Sequence, residues 1–189
     1  MTPDIEDLLR QIEVVKADAP SVCAGLTESQ FNWRPGPDRW SIAECLVHLN
    51  LSVDHTLPAF DRAIAQGRAK EHLNAGPFRY GWFTSWNVRF MEPPVKRRMK
   101  TFKLLQVPPG ASHAQGRVLA DFLALRDQLA ERVRQADGLD LRRIRVVSPV
   151  SWFFRLPLGG YFRFVVAHDR RHLWQARQVR SALSASRQT

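Results

Sequence analysis

Six histidines carry most of the metal-binding and acid–base potential of this chain. His168 and His172 form an H-x-x-x-H pair. On a helix, side chains at i and i+4 stack on one face, close enough for two imidazoles to share one ion. On the same wheel Tyr161, Val165, Gln175 and Val179 fall within about 60° of His168, while Arg170, Arg171 and Trp174 fall outside. The pair therefore sits on a largely apolar stripe expected to face a core. Imidazoles buried there need partners, either hydrogen-bonding groups or a shared metal ion.

His48 adds a third donor. Around it, Ile42, Cys45, Leu46, Leu49, Val53 and Phe60 make one apolar face, and Val47, Leu51 and Pro58 another. Ser41, Glu44, His48, Ser52 and His55 form a polar strip between them. A surface helix seldom shows that pattern, whereas a helix lining a cavity inside a bundle does. His55 lies about 10 Å further along the axis, too far to share an ion with His48, and is at most a cavity-lining residue. Glu44 has two readings. With Ser41 it makes an S-x-x-E capping box, and one turn before His48 it could orient that imidazole or act as a base. Asp169 and Gln175 are candidate supporting groups, with salt bridging and packing as their alternatives. His72 and His113 have no assigned role.

These residues need helices to position them. The 3.6-residue periodicity predicts four long ones, at residues 3–26, 41–66, 114–136 and 160–185. Gly25 and Gly67 are expected to close the first two, with a bend at Pro58. Residues 27–30 read as a turn and 34–39 as a loop. The stretch 68–116 is irregular and proline-bearing, with a short helix near 83–90. Residues 141–147 read as extended, followed by an apolar loop over 148–160. The fold expected is a single all-α domain over 1–189, a four-helix bundle with a long crossover connection.

Composition narrows the function classes. The apolar fraction of 44% is that of a globular protein, and 10 Gly and 2 Cys exclude collagen-like and disulfide-scaffold classes. Cys23 and Cys45 form no CxxC motif, so a reduced, cytoplasmic location is expected. The acidic, amphipathic N-terminus is not a signal peptide, and no apolar stretch is long enough to span a bilayer. The net charge is +10, concentrated after residue 60. Its densest cluster is Lys96, Arg97, Arg98, Lys100 and Lys103, read as a solvated segment rather than a specific nucleic-acid site. Arg79, Arg89, Arg163 and Arg171 are candidates to sit near an anionic cosubstrate. The many aromatics around residues 80–86 and 152–162 read as core or homodimer contacts before a substrate mouth. No GxSxG, P-loop or GxGxxG motif is present.

Trp40–Leu49 (WSIAECLVHL) and His168–Gln175 (HDRRHLWQ), in this order and spacing, resemble the DinB/YfiT-like superfamily of metalloenzymes. The resemblance spans most of the chain and implies a four-helix bundle with a divalent metal, often zinc or nickel, on His48, His168 and His172. Some relatives are transferases or isomerases using a low-molecular-weight thiol such as bacillithiol, mycothiol or glutathione. Three neutral imidazoles leave a coordination position open, the pattern of catalytic zinc. The reading is therefore a metal-dependent transferase or hydrolase acting on a small-molecule substrate, with no specific nucleic-acid or membrane partner. The alternatives are a non-catalytic metal-binding stress protein and, behind it, a basic nucleic-acid-associated protein.

Overall fold

The structure is a computed structural model describing residues 1–95 and 101–186. Lys96, Arg97, Arg98 and Lys100 of the basic cluster lie outside the described residues. Lys103 opens a short 3₁₀ turn, Lys103–Leu105.

Four long helices build the bundle: α1 (Pro3–Cys23), α3 (Ile42–Ala69), α5 (Gln115–Gln135) and α6 (Leu158–Ala185). Two shorter ones, α2 (Glu28–Phe31) and α4 (Trp82–Met91), lie in the connections. Helices α1 and α3 each pack on both α5 and α6, so α1 faces α3, and α5 faces α6, across the diagonals. Ile5, Leu8, Ile12, Leu46, Leu49, Phe60, Phe122, Leu129, Phe162 and Val166 fill the centre. The crossover between α3 and α5 lays α4 against α6.

Helix starts follow the predicted chemistry. Ser41 Oγ accepts from Glu44 N at 3.0 Å and Glu44 Oε2 accepts from Ser41 N at 2.7 Å, which closes the capping box of α3. The predicted turn at 27–30 is instead the one-turn α2, capped reciprocally by Thr27 and Gln30.

Three further expectations are corrected. Helix α3 passes through Pro58 and runs to Ala69, and Gly67 lies inside it rather than closing it. A Cβ on Gly67 would stand 2.3 Å from the Ile144 side chain, so glycine serves close packing there. The extended reading holds over β1 (Arg145–Ser148), but the apolar loop after it contains β2 (Ser151–Pro157), which pairs with β1 as an antiparallel hairpin. Its pattern hides it: buried and exposed positions of β2 do not alternate, and no Asn-Gly or Asp-Gly turn marks it. Last, α6 begins two residues earlier than predicted, at Leu158, because Gly159 and Gly160 seat the crossover. A Cβ on them would meet the Tyr80 hydroxyl at 1.9 Å and the Thr84 methyl at 2.4 Å.

Candidate metal centre

His48 on α3 and His168 and His172 on α6 converge, although 120 residues separate the first from the second. One ring nitrogen from each falls in a set whose members all lie within 4.8 Å of one another. Ring centroids are 5.1 Å apart for His48–His168, and 4.7 Å for both His48–His172 and His168–His172. His48 and His172 are buried and His168 is half-buried.

Two rings are held by partners on their outer nitrogen. The Leu105 carbonyl accepts from His48 Nδ1 at 2.9 Å. A carbonyl can only accept, so Nδ1 carries the proton and the Nε2 lone pair points inward. Gln175 Oε1 stands 3.1 Å from His172 Nδ1 and fixes that ring in the same way. His48 Nε2 and His168 Nε2 are 3.3 Å apart. Two donors on one tetrahedral ion, each about 2.0–2.1 Å from it, stand roughly 3.3 Å apart. The donor set therefore fits a divalent ion of the borderline class, which prefers neutral imidazole.

Electrostatics point the same way. Burial is the largest cause lowering the basicity of His48, and of His168 and His172 well below the usual imidazole value. The neighbouring imidazoles and Arg171 push His168 and His172 further down. Neutral imidazole is the ligating form.

Aromatic rings wall the cluster. Trp40 lies 5.0 Å from His48 and stacks on His172 at 5.6 Å and 25°. Phe164 lies parallel to His168 at 6.4 Å. The Trp40 position, next to the helix cap, was the sequence signal for this wall. Leu105 left none, because its contribution is a backbone carbonyl.

The remaining candidates separate. Glu44 is 1% exposed and stands outside the histidine set. Its Oε2 takes Ser41 N and lies 3.2 Å from Arg34 Nε, while Oε1 is buried without a hydrogen-bond partner. Asp169 serves as a salt-bridge partner. Its Oδ1 accepts from Arg126 Nη2 at 2.5 Å and its Oδ2 from Arg126 Nε at 3.3 Å, across the α5–α6 diagonal. Arg126 Nη1 also donates to Asn50 Oδ1 at 2.9 Å, and its guanidinium lies 3.6 Å from the Phe122 ring centre. Arg163 pairs with Asp4 at 2.9 Å, and Arg79 and Arg89 are exposed. Arg171, placed outside the core stripe by its wheel angle, is buried because α4 covers that flank, and it donates to the Phe90 carbonyl at 3.2 Å. His55 stays out of the cluster. His72 and His113 act through their main chains, bonding Asp140 N and the Asn32 side chain.

Fold and centre together define a helical-bundle protein with an interior three-histidine cluster. The DinB superfamily model matches residues 11–176, and the chain belongs to the DinB superfamily. It is 24% identical over 160 residues to the uncharacterized protein YuaE of Bacillus subtilis (strain 168), covering 84% of this chain and 88% of that one. Its fold matches that of YfiT from Bacillus subtilis, described as a probable metal-dependent hydrolase with an unusual four-helix bundle topology. The TM-score is 0.61 at 13% identity, over 95% of this chain and 87% of that one. Among the described residues, no helix is long and apolar enough to cross a membrane.

Proposed function

We propose that His48, His168 and His172 hold one divalent metal ion, zinc or nickel, and that the protein is a metal-dependent enzyme acting on a small molecule. The observation that carries this reading is the pinning of His48 and His172 through their Nδ1 atoms, which leaves both Nε2 atoms free to ligate, that of His48 3.3 Å from His168 Nε2. When bound, a divalent ion supplies Lewis acidity and lowers the pKa of a water or thiol that reaches it. The residues do the rest. Leu105 and Gln175 orient the rings, Trp40 and Phe164 limit water around them, and the unpartnered Oε1 of Glu44 is the proton acceptor assigned to the reaction.

Hydrolysis is the leading chemistry, supported by the description of YfiT, whose fold this chain shares. Transfer to a low-molecular-weight thiol is the second, since three neutral ligands leave the ion's charge free to hold a thiolate. A screen of zinc- and nickel-loaded protein against small esters, amides and epoxides, with and without thiols, tests the assignment. Turnover that vanishes in His48→Ala and falls at least tenfold in Glu44→Gln is expected. Turnover retained in His48→Ala refutes it.

A further inference from the structure

Large aromatic side chains stand in solvent on two elements that each pack on α6. Trp82, Phe83 and Trp86 lie on α4, and Trp152 and Phe153 on β2, with Trp82 81% and Phe153 75% exposed. Val147 on β1 is exposed as well. Both elements rest on one face of α6. Helix α4 meets it at Gly160, through Thr84, and at Arg171, through the Phe90 carbonyl. Strand β2 meets it at Phe164, whose ring lies 5.3 Å from that of Phe154. At 100° per residue, Gly160, Phe164 and Arg171 fall within about 40° of one another, so α4 and the hairpin both cover that side of α6. Soluble proteins seldom leave that much ring surface uncovered on one side.

The charge that these two stretches of chain contribute has one sign. The sequence contains no Asp or Glu between Glu71 and Glu92, and none between Asp140 and Asp169. Those two stretches hold all six of the residues just named. Arg79, Arg89, Arg145 and Arg155 are exposed there, and none pairs with a carboxylate among the described residues. A second copy of this chain would bring like charges together, which disfavours it as the occupant. A single-stranded nucleic acid matches the charge, but exposed Val147 offers no face for a base, and the Trp152 and Phe153 rings pack on each other at 3.5 Å. Indole, phenyl and aliphatic groups ringed by arginine match the boundary between acyl chains and anionic headgroups.

We infer that the α4 and β-hairpin surface seats this protein on an anionic lipid bilayer, peripherally and without a spanning helix. The sequence-based expectation was of no membrane partner, and this inference departs from it. The inference is independent of the metal centre, because the seat uses none of its ligands. Co-sedimentation of the full chain, metal-free and metal-loaded, with phosphatidylcholine vesicles with and without phosphatidylglycerol tests it. Binding to the anionic vesicles at least tenfold tighter than to the neutral ones, weakened by salt and the same in both metal states, is expected. Trp152→Ser/Phe153→Ser and Trp82→Ser/Trp86→Ser should each lose about tenfold while keeping the wild-type helical circular dichroism. Three results overturn the inference: equal binding to both vesicle types or none; a wild-type dimer in light scattering that either double variant converts to monomer; or single-stranded RNA binding that displaces the vesicles and is lost in the same variants.

Discussion

Replacing Asp169 by Ala tests whether the centre of the bundle is held by charge. Arg126 has no solvent exposure and Asp169 is 1% exposed, and they meet across the diagonal between α5 and α6. Burial pushes the Asp169 carboxyl upward, opposed by the Arg126 guanidinium against it. Removing the carboxylate leaves a dehydrated guanidinium with Asn50 Oδ1 and the Phe122 face as partners. Stranding one charge of a buried pair costs about 3–5 kcal/mol. Each kcal/mol lowers Tm by about 2–4 °C in a domain of this size, so Asp169→Ala should melt roughly 6–20 °C below wild type. Urea denaturation followed at 222 nm measures the same loss. The double variant Arg126→Met/Asp169→Leu removes both charges at similar volume and should recover most of it. A loss below about 1 kcal/mol in the single variant, or a double variant worse than the single, would refute the reasoning.

Three further outcomes follow from the geometry. In metal-free protein the native histidines His48, His168 and His172 hold protons less tightly than the ordinary 6.5, so the unfolded chain binds more protons as acid is added. Stability should therefore be level above about pH 7 and fall below about pH 6.5, by on the order of 1 kcal/mol per pH unit for each strongly shifted histidine. A flat stability profile from pH 7.5 to 5.5 contradicts this. Gly159→Ala places a methyl on the Tyr80 hydroxyl and should cost about 1–3 kcal/mol by overpacking, read in the same urea titration, with Tyr80→Phe/Gly159→Ala recovering part of it. Gln175→Leu frees the His172 ring and should weaken metal affinity about 10–100-fold in a competitive chelator titration, with helix content unchanged.

The four long helices were legible because each presents an apolar face at helical period, and α3 also carries a capping box. The three histidines were legible as two fragments, a pair fixed by its i, i+4 spacing and a single residue marked by its polar strip. Their meeting was not contained in either fragment, since it depends on how α3 packs on α6. What stayed hidden has physical reasons. Leu105 acts through a carbonyl, which every residue possesses. Arg126 and Asn50 read as ordinary polar positions until Asp169 stands opposite them. Strand β2 lacks alternation because one end is buried and the other exposed, so period-two analysis passes over it. Gly67, Gly159 and Gly160 look like helix breakers and are instead sites where another element comes too close for a Cβ.

Elemental analysis of protein purified without a nickel column, set beside the same analysis of His172→Ala, tests the central claim most directly. One equivalent of a divalent metal in the wild type, falling to below about a tenth in His172→Ala while His72→Ala keeps the full equivalent, is the predicted result. Wild-type protein that takes up no metal on incubation with zinc or nickel would contradict the account, and so would His172→Ala retaining a full equivalent.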